Sequence, residues 1–451
     1  MRYAVVGGGI TGLAAAWELR RLAPEADITV FEPGHLGGKL RTSPFAGRPL
    51  DEGADAFLAR VPEGRQLCDD LGLGDALVSP ATARAYVAGG DGLHPLPTGL
   101  VLGVPTDPAA LAGSPLVGDD AGDRVAAEPT LPGHPLAEGD DPSIGSLIRA
   151  RFGDDVLERL VDPLLGGINA GDADHLSLRA AAPQLAAAAE RSGSLVEGLR
   201  AAPPAADPSS PVFWALPGGM ATLVDALVTA LDAVGVTFES EVVEDLDDLG
   251  RGVVLATPAG PAARLLGRAG AADAASILGA IRHASPVLVA LAFGLDAVRH
   301  PLDGSGLLVP KPEGRMLTAC SFASTKWAHL ADPDTVVLRA SAGRLGDDRA
   351  IDMDDDVLVA ALLHDLDDLL GLAADPVAVR VSRWPDGFPQ YEPGHLDRLA
   401  AAEADVAAAR PGVALAGAAH RGLGIPARIR QGRAAAGAVA GVDGARPGTM
   451  A

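Results

Sequence analysis

Gly7-Gly8-Gly9-Ile10-Thr11-Gly12 fits the pattern GxGxxG, with glycines at 7, 9 and 12. In such a turn Gly7 permits the tight bend, Gly9 lets the backbone approach a pyrophosphate, and Gly12 lets helix and strand pack closely. Phosphates would rest on the helix N-terminus, where unpaired N–H groups and the dipole favour anions. Glu32 lies twenty residues after Gly12, where a carboxylate can accept hydrogen bonds from ribose hydroxyls. The plainer reading is a glycine-rich turn without a ligand. The surrounding pattern argues against it.

Those residues need elements to hold them. Residues 3–7 are a short apolar run ending in glycines, 11–22 carry apolar residues at helical spacing, and 28–31 are a second apolar run. Strand, tight turn, helix and strand make a βαβ unit. Residues 95–141 are rich in Pro, Gly and Asp and predict loops and short helices. Residues 143–165 and 180–199 read as helical, 201–211 as a proline-rich connector, and 220–234 as a helix with a Leu223, Leu227, Leu231 stripe. Strand-like runs follow at 236–243 and 253–256. Beyond 284 strands dominate, at 286–293, 306–309, 317–322, 336–340 and 377–381, interrupted by an amphipathic helix over 354–370. A strand at 413–416 and a helix over 425–439 close the pattern. The fold class is therefore α/β with α+β insertions, one nucleotide-binding domain being assembled from distant pieces.

The composition narrows the function classes. The chain has 451 residues, 48% of them hydrophobic, enough for about three domains of ~150 residues. Basic residues number 36 against 59 acidic ones, a net charge of −23, which argues against nucleic acid and polybasic lipid attachment. Two cysteines, Cys68 and Cys320, make no disulfide framework, and no His/Cys spacing suggests a metal. No basic leader with an apolar core and cleavage site opens the sequence, and no run of ~18 apolar residues occurs. A cytoplasmic location and no transmembrane segment are the expectation.

Gly37-Gly38-Lys39-Leu40-Arg41-Thr42 and Asp51-Glu52-Gly53-Ala54-Asp55-Ala56-Phe57 continue the motif. Leu93-His94-Pro95-Leu96-Pro97, Pro163 through Asp172 (PLLGGINAGD) and Leu216-Pro217-Gly218-Gly219-Met220 follow in order. Arg383-Trp384-Pro385, Pro389-Gln390-Tyr391 with Gly394-His395, and Gly422-Leu423-Gly424-Ile425-Pro426 complete the set. Together they resemble the bacterial protoporphyrinogen/coproporphyrinogen III oxidases of the flavin amine oxidase superfamily, across essentially the whole chain. The resemblance implies a discontinuous Rossmann-like FAD domain, a sheet-containing substrate domain and a helical insertion. The expected boundaries are FAD-domain parts at 1–85, 206–265 and 391–451, a helical and loop insertion at 86–205, and a substrate domain at 266–390.

The resemblance assigns FAD contacts to Gly7, Gly8, Gly9, Ile10, Thr11, Gly12, Glu32, Pro33, Lys39, Gly53, Ala54, Asp55 and Ala56. It extends them to Val243, Trp384, Leu423, Gly424 and Ile425, the last three opening a helix aimed at the flavin pyrimidine edge. Lys39 is one of only three lysines, and its plainer reading is a solvated side chain. Trp384 could equally be a core aromatic. After Val243 the acidic turn 244–252 is shorter than in relatives, which makes that contact the weaker one. For substrate, the resemblance implies Arg60 as a propionate partner and Asn169 facing the macrocycle, against an exposed arginine and a turn-forming asparagine.

The activity implied is oxidation of coproporphyrinogen III to coproporphyrin III, with hydride passing to flavin N5 and O₂ reduced to H₂O₂. Positioning a carbon against N5 is the main demand, so no catalytic residue is named. Protoporphyrinogen IX remains an alternative substrate. A flavin amine oxidase or carotenoid-type desaturase, and an FAD-less escort protein on the same scaffold, are the alternatives of a different kind. The resemblance also allows transient contact with haem-pathway enzymes.

Overall fold

The apolar run RYAVV forms β1 (Arg2–Val6), buried from Tyr3 onward as a strand covered on both faces must be. Around it lie β2 (Asp27–Phe31), β3 (Thr237–Glu239), β4 (Gly252–Leu255) and β5 (Val413–Leu415). All pair in parallel, in the order β3-β2-β1-β4-β5. The chain steps from β1 to β2 on one side and later to β4 on the other. A topological switch point therefore lies between β1 and β4, where open α/β sheets bind ligands at their carboxyl ends.

The helices that dress this sheet include α1 (Ile10–Leu22), α2 (Ala221–Ala233), α3 (His395–Ala409) and α4 (Ile425–Ala440). The stripe Leu223, Leu227 and Leu231 of α2 is buried with Leu13 and Leu19 of α1. Small residues let α1 and α4 touch. A Cβ on Gly432 would lie 2.2 Å from the Thr11 carbonyl oxygen, so the crossing excludes any side chain there.

The structure is a computed structural model that describes residues 1–202, 210–250 and 252–441. Its chain clusters into two units, Met1–Ser79 with Pro208–Arg282 and His395–Ala451, and Pro80–Asp207 with His283–Gly394. The first holds the parallel sheet. Most of the proline-rich connector expected over 201–211 lies outside the described residues.

The second unit carries a seven-stranded mixed sheet. Its order is Ala378–Arg383, Val287–Gly294, Thr335–Ala342, Leu317–Phe322, Gly306–Leu308, Tyr86–Gly89, Gly92–Pro95. The helix Asp355–Leu370 turns Leu358, Leu362, Leu366, Leu369 and Leu370 into that sheet's core. A separate helical core gathers Ile144, Ile148 and Phe152 from Ile144–Phe152 with Leu185 from Pro183–Arg191 and Leu199 from Leu195–Arg200. No helix among the described residues is long and apolar enough to cross a membrane.

Two local differences from the sequence reading concern strands. The run 236–243 is a strand only over Thr237–Glu239; its remaining residues leave the sheet edge without a partner to pair with. Short hairpins, Thr42–Phe45 with Arg48–Asp51 and Tyr86–Gly89 with Gly92–Pro95, form where no strand was expected.

Candidate functional site

β1 hands the chain to Gly7, at φ 109°, whose N–H donates to the Phe31 carbonyl at 2.9 Å. A Cβ on Gly7 would stand 2.7 Å from the Ala256 carbonyl oxygen, and one on Gly12 only 1.8 Å from that of Gly7. Gly9 differs: a Cβ there would meet nothing within 4 Å. Two glycines thus serve the protein's own packing, and the third faces open space. Gly9 is also the N-cap of α1, with no side chain capping the Ile10 and Thr11 turn. Backbone donors remain there for an anion.

Glu32 leaves β2 with its carboxylate already oriented. Its Oε2 accepts the Gly8 N–H at 2.8 Å and its Oε1 the Gly34 N–H at 2.9 Å, across the exposed Pro33. Each oxygen keeps a lone pair for a further donor such as a hydroxyl. The Gly37 N–H donates to the Gly8 carbonyl at 2.8 Å, and Gly9 and Gly37 form a parallel bridge. This lays the loop carrying half-buried Lys39 along the glycine turn.

The hairpin that follows anchors α2. Thr42 Oγ1 donates to Asp51 Oδ1 at 2.6 Å, and the two side chains accept the Ala221 and Met220 N–H groups. Gly219, at φ 83°, gives the Leu216-to-Met220 motif its sharp entry beside Thr42. Gly53, Ala54, Asp55 and Ala56 run from this hairpin to the strand Phe57–Leu58, which pairs with Phe213–Trp214. Arg60 is exposed just beyond it.

At the far side of the switch point the sequence reading passed over two segments. Thr257 follows β4, and its buried Oγ1 has no hydrogen-bond partner among the described residues. Gly417 follows β5 and faces the Thr257 and Ala256 carbonyls. Their signal was positional: Thr257 follows the strand beside β1, and Gly417 follows the next strand out. Leu423 and Gly424 then lead into α4, whose N-cap Gly424 provides no side-chain cap. Val243 sits in irregular chain beyond β3 and packs on the core below β4.

His420 lies in the same segment, 2% exposed, with Nδ1 lacking a hydrogen-bond partner among the described residues; its carbonyl accepts from His395 Nε2 at 2.8 Å. Burial, then the charges of Arg421 and His395, press its pKa down to about 3. A histidine depressed in the folded state binds fewer protons than in the unfolded chain between that value and its usual ~6.5. Its stabilisation is complete above ~6.5 and drains away as pH falls toward 3. Thermal midpoints should accordingly drop across that window, and H420N should flatten the profile; parallel profiles would assign the acid sensitivity elsewhere.

Trp384 and Asn169 belong to the second unit. Trp384 is half-buried, follows the strand Ala378–Arg383 and donates its backbone N–H to the Pro286 carbonyl. Asn169 is buried, and its Nδ2 donates to the Leu165 carbonyl at 2.7 Å, one helical turn back. The left-handed residue of that turn is Ala170, at φ 47°, and not the asparagine.

The open face at Gly9, the oriented Glu32 carboxylate, the unpartnered Thr257 hydroxyl and two uncapped helix starts fit a dinucleotide. Comparisons with known proteins agree in kind. A family model described as flavin containing amine oxidoreductase matches residues 10–440. The chain is 41% identical to coproporphyrinogen III oxidase of Mycobacterium tuberculosis, over 98% of both chains. To the enzyme of that name in Bacillus subtilis it is 33% identical, covering 96% of each. A crystal structure assigned as a protoporphyrinogen oxidase from Exiguobacterium sp. 255-15 superposes with TM-score 0.87 at 32% identity, over 97% of this chain and 98% of that one.

Proposed function

The chain belongs to the flavin containing amine oxidoreductase family, and on that footing we propose that it oxidises coproporphyrinogen III to coproporphyrin III in haem biosynthesis. It is an FAD-dependent oxidoreductase of the protoporphyrinogen/coproporphyrinogen III oxidase group. When bound, FAD supplies a hydride acceptor at N5 and a route for electron pairs to O₂, which leaves as H₂O₂.

The chain's own residues have holding roles. N–H groups at Gly9, Ile10 and Thr11 receive the pyrophosphate, and Glu32 accepts from the ribose hydroxyls. Lys39 lies along the glycine turn as a cation for the same cofactor, with residues 53–56 beside it in sequence order. The N-terminus of α4, from Leu423 to Ile425, favours negative charge at the pyrimidine edge. Val243 and Trp384 are proposed as outer contacts. Arg60, exposed and cationic, suits a propionate. Asn169 gives one amide N–H to the Leu165 carbonyl and keeps its second N–H and its Oδ1 for the macrocycle. With each hydride a pyrrole N–H proton leaves to a base or to water, so no dedicated acid/base pair is obligatory and the protein's task is to position a carbon.

The observation that carries this reading is the cradle at Gly9 and Glu32 in a chain aligned end to end with coproporphyrinogen III oxidases. Purified protein should show flavin bands that bleach on anaerobic addition of coproporphyrinogen III, faster than with protoporphyrinogen IX. A colourless protein that cannot be reconstituted would defeat the cofactor assignment. Faster bleaching by protoporphyrinogen IX would transfer the substrate.

A further inference from the structure

The helix Asp162–Asn169 should not hold its place unaided. It is entered through a π-turn, Leu157–Val161, contains Pro163, Gly166 and Gly167, and exits through the left-handed Ala170. The π-turn and the two glycines weaken a short helix, whereas Pro163 stands in its first turn, where proline is tolerated. Its outward face is nonetheless apolar: Ile168 is 56% exposed, and a Cβ on Gly167 would meet only Leu308, at 4.0 Å.

External ties fix it. Gln390 Nε2 donates to the Asn169 carbonyl at 3.0 Å, and the Leu345 N–H to that of Ala170 at 2.8 Å. The remaining tie is ionic. Lys311 Nζ lies 3.2 Å from Asp162, at the start of the helix, and 2.8 Å from Asp172, just past its end. Asp162 also accepts the Ala173 N–H, which closes the span. Beside it Arg159 pairs with Glu313, two residues from Lys311, at 2.5 Å. One ammonium thus staples both ends of the helix to the loop after Gly306–Leu308.

We propose that Lys311 is a positioning residue for the substrate. By bridging Asp162 and Asp172 it sets the Gly167–Ile168 face against which an apolar side of the flexible macrocycle rests. This rests on the porphyrinogen reading above. The consistent direction at Asp172 is that, although burial pushes its pKa up, the hydrogen bond and charge of Lys311 hold it below the usual range. The carboxylate stays ionised and the staple closed.

The test uses FAD-loaded holoenzyme, coproporphyrinogen III turnover, and quenching of coproporphyrin III fluorescence as a binding readout independent of turnover. Lys311→Met should raise KM and the porphyrin Kd by about tenfold, with kcat and the flavin spectrum held. Lys311→Arg should restore most of the affinity, because a guanidinium can span the same carboxylates. Unchanged KM and Kd in Lys311→Met, or a fall in kcat at constant KM, would overturn the role. Failure of Lys311→Arg to rescue would do the same. If the unaltered holoenzyme neither turns over coproporphyrinogen III nor binds the porphyrin, the functional reading fails and not the staple.

Discussion

Gly12→Val yields a colourless protein. A Cβ at this position would sit 1.8 Å from the Gly7 carbonyl oxygen and 3.1 Å from Val5, and neither neighbour is a flexible side-chain end. The backbone must move, and it can move only by opening the turn from β1 into α1. That turn aims the Ile10 and Thr11 N–H groups, and α1 is in close contact with α4 through Gly432. Cofactor retention should fall below one-tenth of that in the unaltered chain, measured as flavin absorbance per polypeptide after desalting. Gly9→Ala is the internal control. Its Cβ meets no protein atom, so the protein should fold with an unchanged circular dichroism spectrum yet hold FAD more weakly. Full flavin in Gly12→Val would remove the glycine turn from the cofactor site.

Glu128→Ala should cost the second unit about 3 kcal/mol. Glu128 is fully buried, and its carboxylate receives the Ser194 hydroxyl and the Leu195 and Val196 N–H groups, the latter at 2.8 and 3.3 Å. Arg151, itself nearly buried, places Nη1 3.7 Å away. Removing the anion strands two helix-start donors in the core and takes the counter-charge from Arg151, whose Nη2 keeps the Gly193 carbonyl. Glu128→Gln keeps the shape and one acceptor and should lose less. Urea unfolding of the three proteins checks the order, and a Glu128→Ala midpoint equal to the parent's would contradict it.

The elements legible in the sequence were those whose periodicity is enforced by burial on a defined face. α2 and α4 follow their Leu and Ala stripes to within a residue or two, and Leu317–Phe322 occupies the expected span. α3 went unread because its sequence, HLDRLAAAEADVAAA, buries only His395, Leu399, Ala402 and Val406, and alanine marks no face. The hairpin Thr42–Phe45 with Arg48–Asp51 was hidden by prolines at 44 and 49, which stand opposite each other in the ladder.

At the site, Gly7, Gly9, Gly12 and Glu32 announce themselves because local backbone geometry dictates residue type. Thr257, Gly417 and His420 do not. Their meaning comes from following β4 and β5, which join the sheet in turn on one side of β1, each pairing with a strand over a hundred residues earlier. Lys311 is the extreme case, an ordinary lysine in sequence that acquires a role only when Asp162 and Asp172 converge on it.

The interleaving of the two units has a temporal consequence. On a ribosome the second unit has its full complement of residues once Gly394 has emerged, whereas the parallel sheet still awaits β5, and α1 still lacks α4. Vectorial synthesis therefore completes the nucleotide-binding half last, with α1 among the earliest residues made and left without α4 until the end. Pairings so distant along the chain close slowly. A nascent chain halted near residue 430, so that Gly394 has cleared the ribosome while α4 has not, should carry a protease-resistant second unit beside a still-susceptible amino-terminal segment.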